Sequence, residues 1–131
     1  KIPNASPLFW VMIDHVQRKK LYESVTIDEY AQVERRVDQI LAPLGSARMR
    51  RGDAALIVDE VRNTARMIRH ACRRGGFLKA AQSQGRRALA EDLRSITEEH
   101  RRLWLQRNRP GGLNDSARRL ESMQADYQQA V

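Results

Sequence analysis

The sequence is poor in the residues that most often carry a chemistry. It holds one cysteine, Cys72, so an internal disulfide framework is excluded; beside Ala71 in a helical pattern, that thiol reads as a small buried hydrophobe. The three histidines, His15, His70 and His100, lack a Glu three residues before, a second His four residues on, or a neighbouring Cys pair. The helical zinc and di-iron signatures are therefore missing, and no metal or cofactor is expected. No apolar run approaches the ~18 residues a membrane span needs, and no signal-peptide pattern opens the chain. The expectation is a soluble segment with no membrane partner, its compartment left open. Lysine is scarce as well: Lys1, Lys19, Lys20 and Lys79 are the only ones among 24 cationic residues.

What is present is a 131-residue chain with 41% hydrophobic and 31% charged residues, enough for one domain with its own core. It opens on Lys1 rather than Met, and the expectation is a single helical domain, 1–131, from the C-terminal part of a longer or processed polypeptide. A formal charge of +8 and a pI near 10.5 put nucleic acid and acidic surfaces among the partners to test. An arginine-heavy, lysine-poor balance also follows from GC-rich coding, which weakens that argument.

Apolar residues recur at helical spacing through the whole chain. Ser6 and Pro7 are a cap and first position for a helix at about 7–20, with Leu8, Phe9, Met12, Ile13 and Val16 on one face. Thr26-Ile27-Asp28-Glu29 is a capping box, opening a helix through Ile27, Tyr30, Ala31, Val33, Val37, Ile40 and Leu41 that ends at Pro43-Leu44-Gly45. After a basic connection, Ser46 to Gly52, Asp53 can cap a third helix whose stripe is Leu56, Ile57, Val61, Ala65, Ile68 and Cys72, widened by Met67 and Ala71. At Gly75-Gly76 two outcomes stand open: Phe77 to Ala81 either extend that helix or form a separate turn. The longest helix is expected after Gly85, through Leu89, Leu93, Ile96, His100, Leu103 and Trp104, and the last at about 115–129 through Ala117, Leu120, Met123, Ala125 and Tyr127. With no period-2 strand pattern and no repeat, the expected fold is all-α, a bundle of about five amphipathic helices, mostly antiparallel.

Three groups of residues merit weighing as sites. The pairs Asp59-Glu60, Glu91-Asp92 and Glu98-Glu99 offer two carboxylates each, as glycoside hydrolysis requires, yet on helix faces they read as solvated charge and receive no catalytic role. Arg62, Arg66, Arg69 and Arg73, at i, i+4, i+7 and i+11, form a basic ridge on the third helix that could follow phosphates, with Arg48, Arg50 and Arg51 near its start. Asp59 and Glu60 precede it by a turn and no aromatics interleave, so nucleic acid is the lesser expectation as a partner. Gly111-Gly112 before Leu113-Asn114-Asp115-Ser116 brings glycines to a helix start but lacks the Gly-Lys-Ser/Thr ending of a phosphate loop. This stretch reads as a structural joint: Trp104 a core anchor, Pro110 the stop, Gly111 and Gly112 the reversal, Asn114 or Asp115 the next cap, and Arg107 and Arg109 available to stack or to pair.

The run Leu103-Trp104-Leu105-Gln106-Arg107-Asn108-Arg109-Pro110-Gly111-Gly112-Leu113-Asn114-Asp115-Ser116, preceded by Glu98-Glu99-His100-Arg101-Arg102, resembles the close of bacterial family 20 glycoside hydrolases, the β-N-acetylhexosaminidase group. Ile2 to Phe9 resembles the stretch just after the catalytic barrel of such proteins, and Met67 to Gly75 a middle helix of the same tail. The resemblance implies a helical region C-terminal to a (β/α)8 barrel, in a parent enzyme that releases terminal N-acetylhexosamine. The family's catalytic Asp-Glu pair lies in that barrel and has no counterpart here, so no catalytic residue is carried over. The implied partner is the parent's barrel or a partner subunit, a second copy of the chain included, met through an exposed apolar patch. The alternative is an independent basic helical adaptor or nucleic-acid-binding module.

Overall fold

A computed structural model of the chain describes residue 8, residues 11–12, 24–80 and 85–128. Four α-helices are delimited among these residues: α1, Ile27–Leu41; α2, Ala54–Ala80; α3, Arg86–Arg107; and α4, Leu113–Gln128, with a 3-10 turn at Ala42–Gly45 between the first two. The described residues contain no strand, so the all-α expectation holds, and four helices are delimited among them against the about five expected for the chain. The helix expected at about 7–20 lies outside the described residues except for Leu8, Val11 and Met12, which are helical.

The capping box forms as its residue types require. The Glu29 amide donates to Thr26 Oγ1 at 3.1 Å and the Thr26 amide to Glu29 Oε2 at 2.6 Å, so two otherwise orphaned donors are satisfied reciprocally. Pro43 then converts the end of α1 into a 3-10 turn. At Gly75-Gly76 the helix runs straight on, and α2 reaches Ala80. Tyr30 of α1 explains why glycine sits there: a Cβ on Gly75 would lie 2.6 Å from Tyr30 Cε2. The glycine admits a close helix approach, and it does not break the helix.

Contacts across the helices give their direction. Glu34 meets Arg73 and Asp38 meets Arg69, so α1 and α2 run antiparallel. Asp59 meets Arg102 and His70 meets Asp92, so α2 and α3 do too. Gln124 donates to the Ala90 carbonyl while His100 meets Ser116, which sets α4 antiparallel to α3. The core lies where α2, α3 and α4 converge: Ala71, Leu89, Leu93, Leu120, Met123 and Tyr127, closed from outside by Val11 and Met12. By contrast α1 is peripheral. It buries Tyr30 and Val37, whereas Ile27 and Ile40, expected on the same apolar stripe, are 58% and 60% exposed. Among the described residues no helix is long and apolar enough to cross a membrane.

Candidate functional site

The joint after α3 is built by its own side chains. The Asn108 amide donates to the Trp104 carbonyl at 2.8 Å and closes the helix, and Leu113 N–H donates to the Pro110 carbonyl at 3.2 Å across the turn. Gly112 has φ +86°, a conformation that favours glycine, and α4 starts immediately after it at Leu113. The start therefore falls two residues before the expected one. Asn114 and Asp115 lie within the first turn, where Asp115 sits favourably at the positive end of the helix. Trp104 is half-buried instead of forming part of the core: its Nε1–H donates to the Arg109 carbonyl at 3.2 Å, and its ring would meet a Cβ on Gly112 at 3.5 Å. The indole clamps the Pro110-Gly111-Gly112 turn from the side.

Arg107 and Arg109 diverge. Arg107 donates through Nε and Nη2 to both oxygens of Glu60, at 2.7 and 3.0 Å, and through Nη1 to Asp53 at 2.7 Å. It ties the end of α3 to the start of α2. Arg109 makes no ion pair among the described residues, and its carbonyl carries the contact instead. Asp53, expected as a cap, directly precedes α2 and also accepts from Arg51 at 2.9 Å. Hydrogen bonds from Arg51 and Arg107 hold its carboxyl far below the usual carboxylate range.

The basic ridge is largely neutralised by the bundle itself. Arg66 donates to Ser95 at 2.9 Å and approaches Asp92 at 3.7 Å, Arg69 pairs with Asp38, and Arg73 donates to Glu34 at 3.0 Å. Arg62 alone of the four makes no ion pair among the described residues. The carboxylate pairs meet arginines in turn: Asp59 and Glu99 share Arg102 at 2.7 and 2.8 Å, Glu91 takes Arg87 at 2.9 Å, and Glu98 lies 4.0 Å from Arg94. Arginine hydrogen bonds lower the pKa of Glu60, Glu91 and Glu99, the opposite of what a general acid needs.

The most concentrated polar constellation was not visible as a motif. Asn63, His70 and Arg74 are all buried on α2, with relative exposures of 3%, 0% and 1%. His70 Nδ1 lies 2.9 Å from Asp92 and Nε2 3.0 Å from the Tyr127 hydroxyl. Arg74 donates to the Val11 carbonyl at 3.0 Å and to Asp126 at 2.7 Å, with its guanidinium 5.1 Å from the Tyr127 ring centre. Burial lowers the pKa of His70, against the pull of Asp92, and raises that of Tyr127. A neutral imidazole that donates from Nδ1 to Asp92 and accepts a hydrogen bond from the Tyr127 hydroxyl at Nε2 satisfies both ring nitrogens of His70. An Asp–His–hydroxyl chain has the parts of a proton relay, but His70 is sealed from solvent, so no substrate reaches it; the chain instead fastens α2, α3 and α4 together.

Cys72 is buried, and desolvation pushes its thiol up to about 11, which suits the role of a small hydrophobe. His100 is half-buried with Nε2 2.9 Å from Ser116 Oγ, and His15 lies outside the described residues. Among the described residues no three His, Cys, Asp or Glu side chains converge as a metal site. No family model, curated protein or solved structure matches the chain.

Proposed function

We propose that the chain is the non-catalytic C-terminal helical region of a glycoside hydrolase, its parent resembling a β-N-acetylhexosaminidase, and that it serves as a scaffold against which the catalytic barrel or a partner subunit packs. The observation that carries the scaffold role is an apolar groove of about 290 Å³ between α1 and α2, lined by Val37, Ile40, Leu41, Val61 and Ile68. Ile40 and Val61 are 60% and 38% exposed there. An apolar strip rimmed by polar residues is the usual mark of an interaction face. The glycosidase assignment rests on the Leu103 to Ser116 run. The pairing of the carboxylates with arginines supports the non-catalytic part, since it lowers the pKa of Glu60 and Glu99, the opposite of what protonating a leaving group requires.

The alternative, a basic adaptor or nucleic-acid-binding module, draws on net charge, and three of the four ridge arginines are already engaged by groups of the bundle. Two measurements test the proposal. The coding sequence upstream of Lys1 should end a (β/α)8 barrel; a start codon directly before Lys1 overturns the assignment. The isolated chain should not hydrolyse a chromogenic N-acetylglucosaminide, and turnover above background removes the non-catalytic reading.

A further inference from the structure

The groove between α1 and α2 also carries information about what fills it. Both of its walls are helices whose backbone groups are satisfied internally, so neither offers a strand edge on which an extended peptide could pair. The occupant must satisfy its own backbone, as a helix does. Val61 and Ile68 stand seven residues apart on α2, about 10 Å at the helical rise, so the groove is long enough for two turns of such a helix. The charge around it has one sign left over. Its carboxylates are taken: Glu60 accepts from Arg107 at 2.7 and 3.0 Å, Asp38 pairs with Arg69, and Asp53 accepts from Arg51 at 2.9 Å and from Arg107 at 2.7 Å. Arg36, one turn before Ile40 on the same flank of α1, donates only to the Gln39 side chain and makes no ion pair among the described residues. Arg48 and Arg50, exposed in the connection from the end of α1 to α2, make none either. An incoming cation has to break a pair, whereas an incoming carboxylate finds open donors. A second copy of the chain is disfavoured by the same balance, because it brings the same surplus of arginine and a further +8 to the contact.

We propose that this groove docks an acidic amphipathic helix of a partner protein, with its apolar face on Ile40, Val61 and Ile68 and its carboxylates toward Arg36, Arg48 and Arg50. The apolar contact supplies the affinity, and the unpaired arginines select the sign of the partner's charge. The inference rests on the scaffold reading in its partner-subunit form and adds the chemistry of what is met; it does not depend on the glycosidase assignment.

The test is fluorescence anisotropy of the 131-residue chain with three labelled peptides of roughly 18 residues. The first carries leucine at i, i+4, i+7 and i+11 among glutamate and alanine; the second replaces every glutamate by lysine; the third scrambles the first so that no apolar face forms. The acidic amphipathic peptide should bind saturably, about tenfold or more tighter than either of the others. Ile40→Ser and Arg36→Glu, both at exposed positions, should each weaken it by about tenfold while circular dichroism shows the helices intact. Arg119→Glu, an equal change of charge on α4 at another exposed arginine, should have a much smaller effect. Equal binding of the scrambled peptide, or equal losses from Arg36→Glu and Arg119→Glu, reduces the attraction to net charge and overturns the proposal. Binding of the lysine peptide as tight as that of the acidic one, lost in Ile40→Ser, overturns the acidic partner and leaves the scaffold face standing. A dimer in sedimentation equilibrium that Ile40→Ser abolishes assigns the groove to a second copy and overturns the acidic partner as well. A monomeric chain that binds none of the peptides overturns both the proposal and the scaffold reading of this groove.

Discussion

Arg74 and Arg107 are the same side chain placed in opposite surroundings. Arg74 is 1% exposed, bonded to a backbone carbonyl and to Asp126, and lies against Tyr127. Arg107 is 35% exposed by side chain, and it makes three hydrogen bonds, two of them bidentate to Glu60. Hydrogen bonding alone does not separate the two residues. Solvation does, because water replaces the partners of an exposed ion pair but cannot reach a buried one.

The largest expected effect tests this difference directly. Arg74→Met keeps the aliphatic stem but leaves the Asp126 carboxylate, the Val11 carbonyl and the Tyr127 hydroxyl short of a donor. The loss should be about 3–5 kcal/mol in chemical denaturation. Adding Asp126→Asn should restore part of it, and a double-mutant cycle reads the coupling. A loss no larger than that of surface substitutions would mean that this cluster is not what ties Val11 and α4 to α2.

Next in size is Gly75→Ala, which probes the peripheral helix against the core. The added methyl meets the Tyr30 ring, so α1 must shift, at a cost of roughly 1–3 kcal/mol for overpacking, offset in part by the better helix propensity of alanine. Tyr30→Leu in the same chain should recover stability. If Gly75→Ala alone stabilises the protein, α1 does not pack where the structure puts it.

The two clusters also separate by pH. Burial holds His70 below its ordinary pKa, so as pH falls through about 6.5 the unfolded chain takes up a proton before the folded one does. The stability that His70 contributes is therefore complete above that pH and declines below it, toward its folded-state pKa. His100, also lowered by burial, acts with the same sign. The carboxylates of the exposed lattice, among them Glu60 and Glu99, lose their contribution only further down, below their ordinary 4.5. Urea midpoints should fall between pH 7.5 and 5.5, and His70→Asn should flatten that slope without altering the one below pH 4.5. An unchanged slope between pH 7.5 and 5.5 in the variant would assign the first window elsewhere.

Much of the fold was legible because helices write their own period. The Thr26 to Glu29 capping box and the stripe Leu89, Leu93, Ile96 and Leu103 occur where the spacing put them. The joint was legible in kind, since proline and two glycines punctuate the chain, though Trp104 clamps the turn from the side and is not buried in the core. The buried polar row was missed for a specific reason. Asn63, His70 and Arg74 stand at i, i+7 and i+11, one residue out of phase with Arg62, Arg69 and Arg73. Both rows are polar and helical, and sequence spacing gives no rule for which of two such neighbouring rows faces inward. That choice was made by Asp92, Asp126 and Tyr127, which lie 22 to 57 positions away in the chain from the side chains they bind. The exposed ends of the α1 stripe, Ile27 and Ile40, were missed for the converse reason: periodicity identifies an apolar face but not the element that covers it.

The smallest expected effect is at the joint, and it sharpens the comparison from the weak side. Arg107→Ala removes three hydrogen bonds to Glu60 and Asp53, yet those carboxylates are open to water, and Asp53 keeps Arg51. The denaturation midpoint should fall by several-fold less than for Arg74→Met, and the difference from the parent chain should shrink further at molar salt, where the screening length drops to about 3 Å. The backbone of the turn should survive, since the Leu113 to Pro110 and Trp104 to Arg109 bonds do not pass through the Arg107 side chain. A salt-independent loss as large as that of Arg74→Met would show that the lattice of Arg107, Glu60 and Asp53 excludes water in solution. The bundle would then be held at both ends by desolvated charge, and the contrast drawn from exposure would fail.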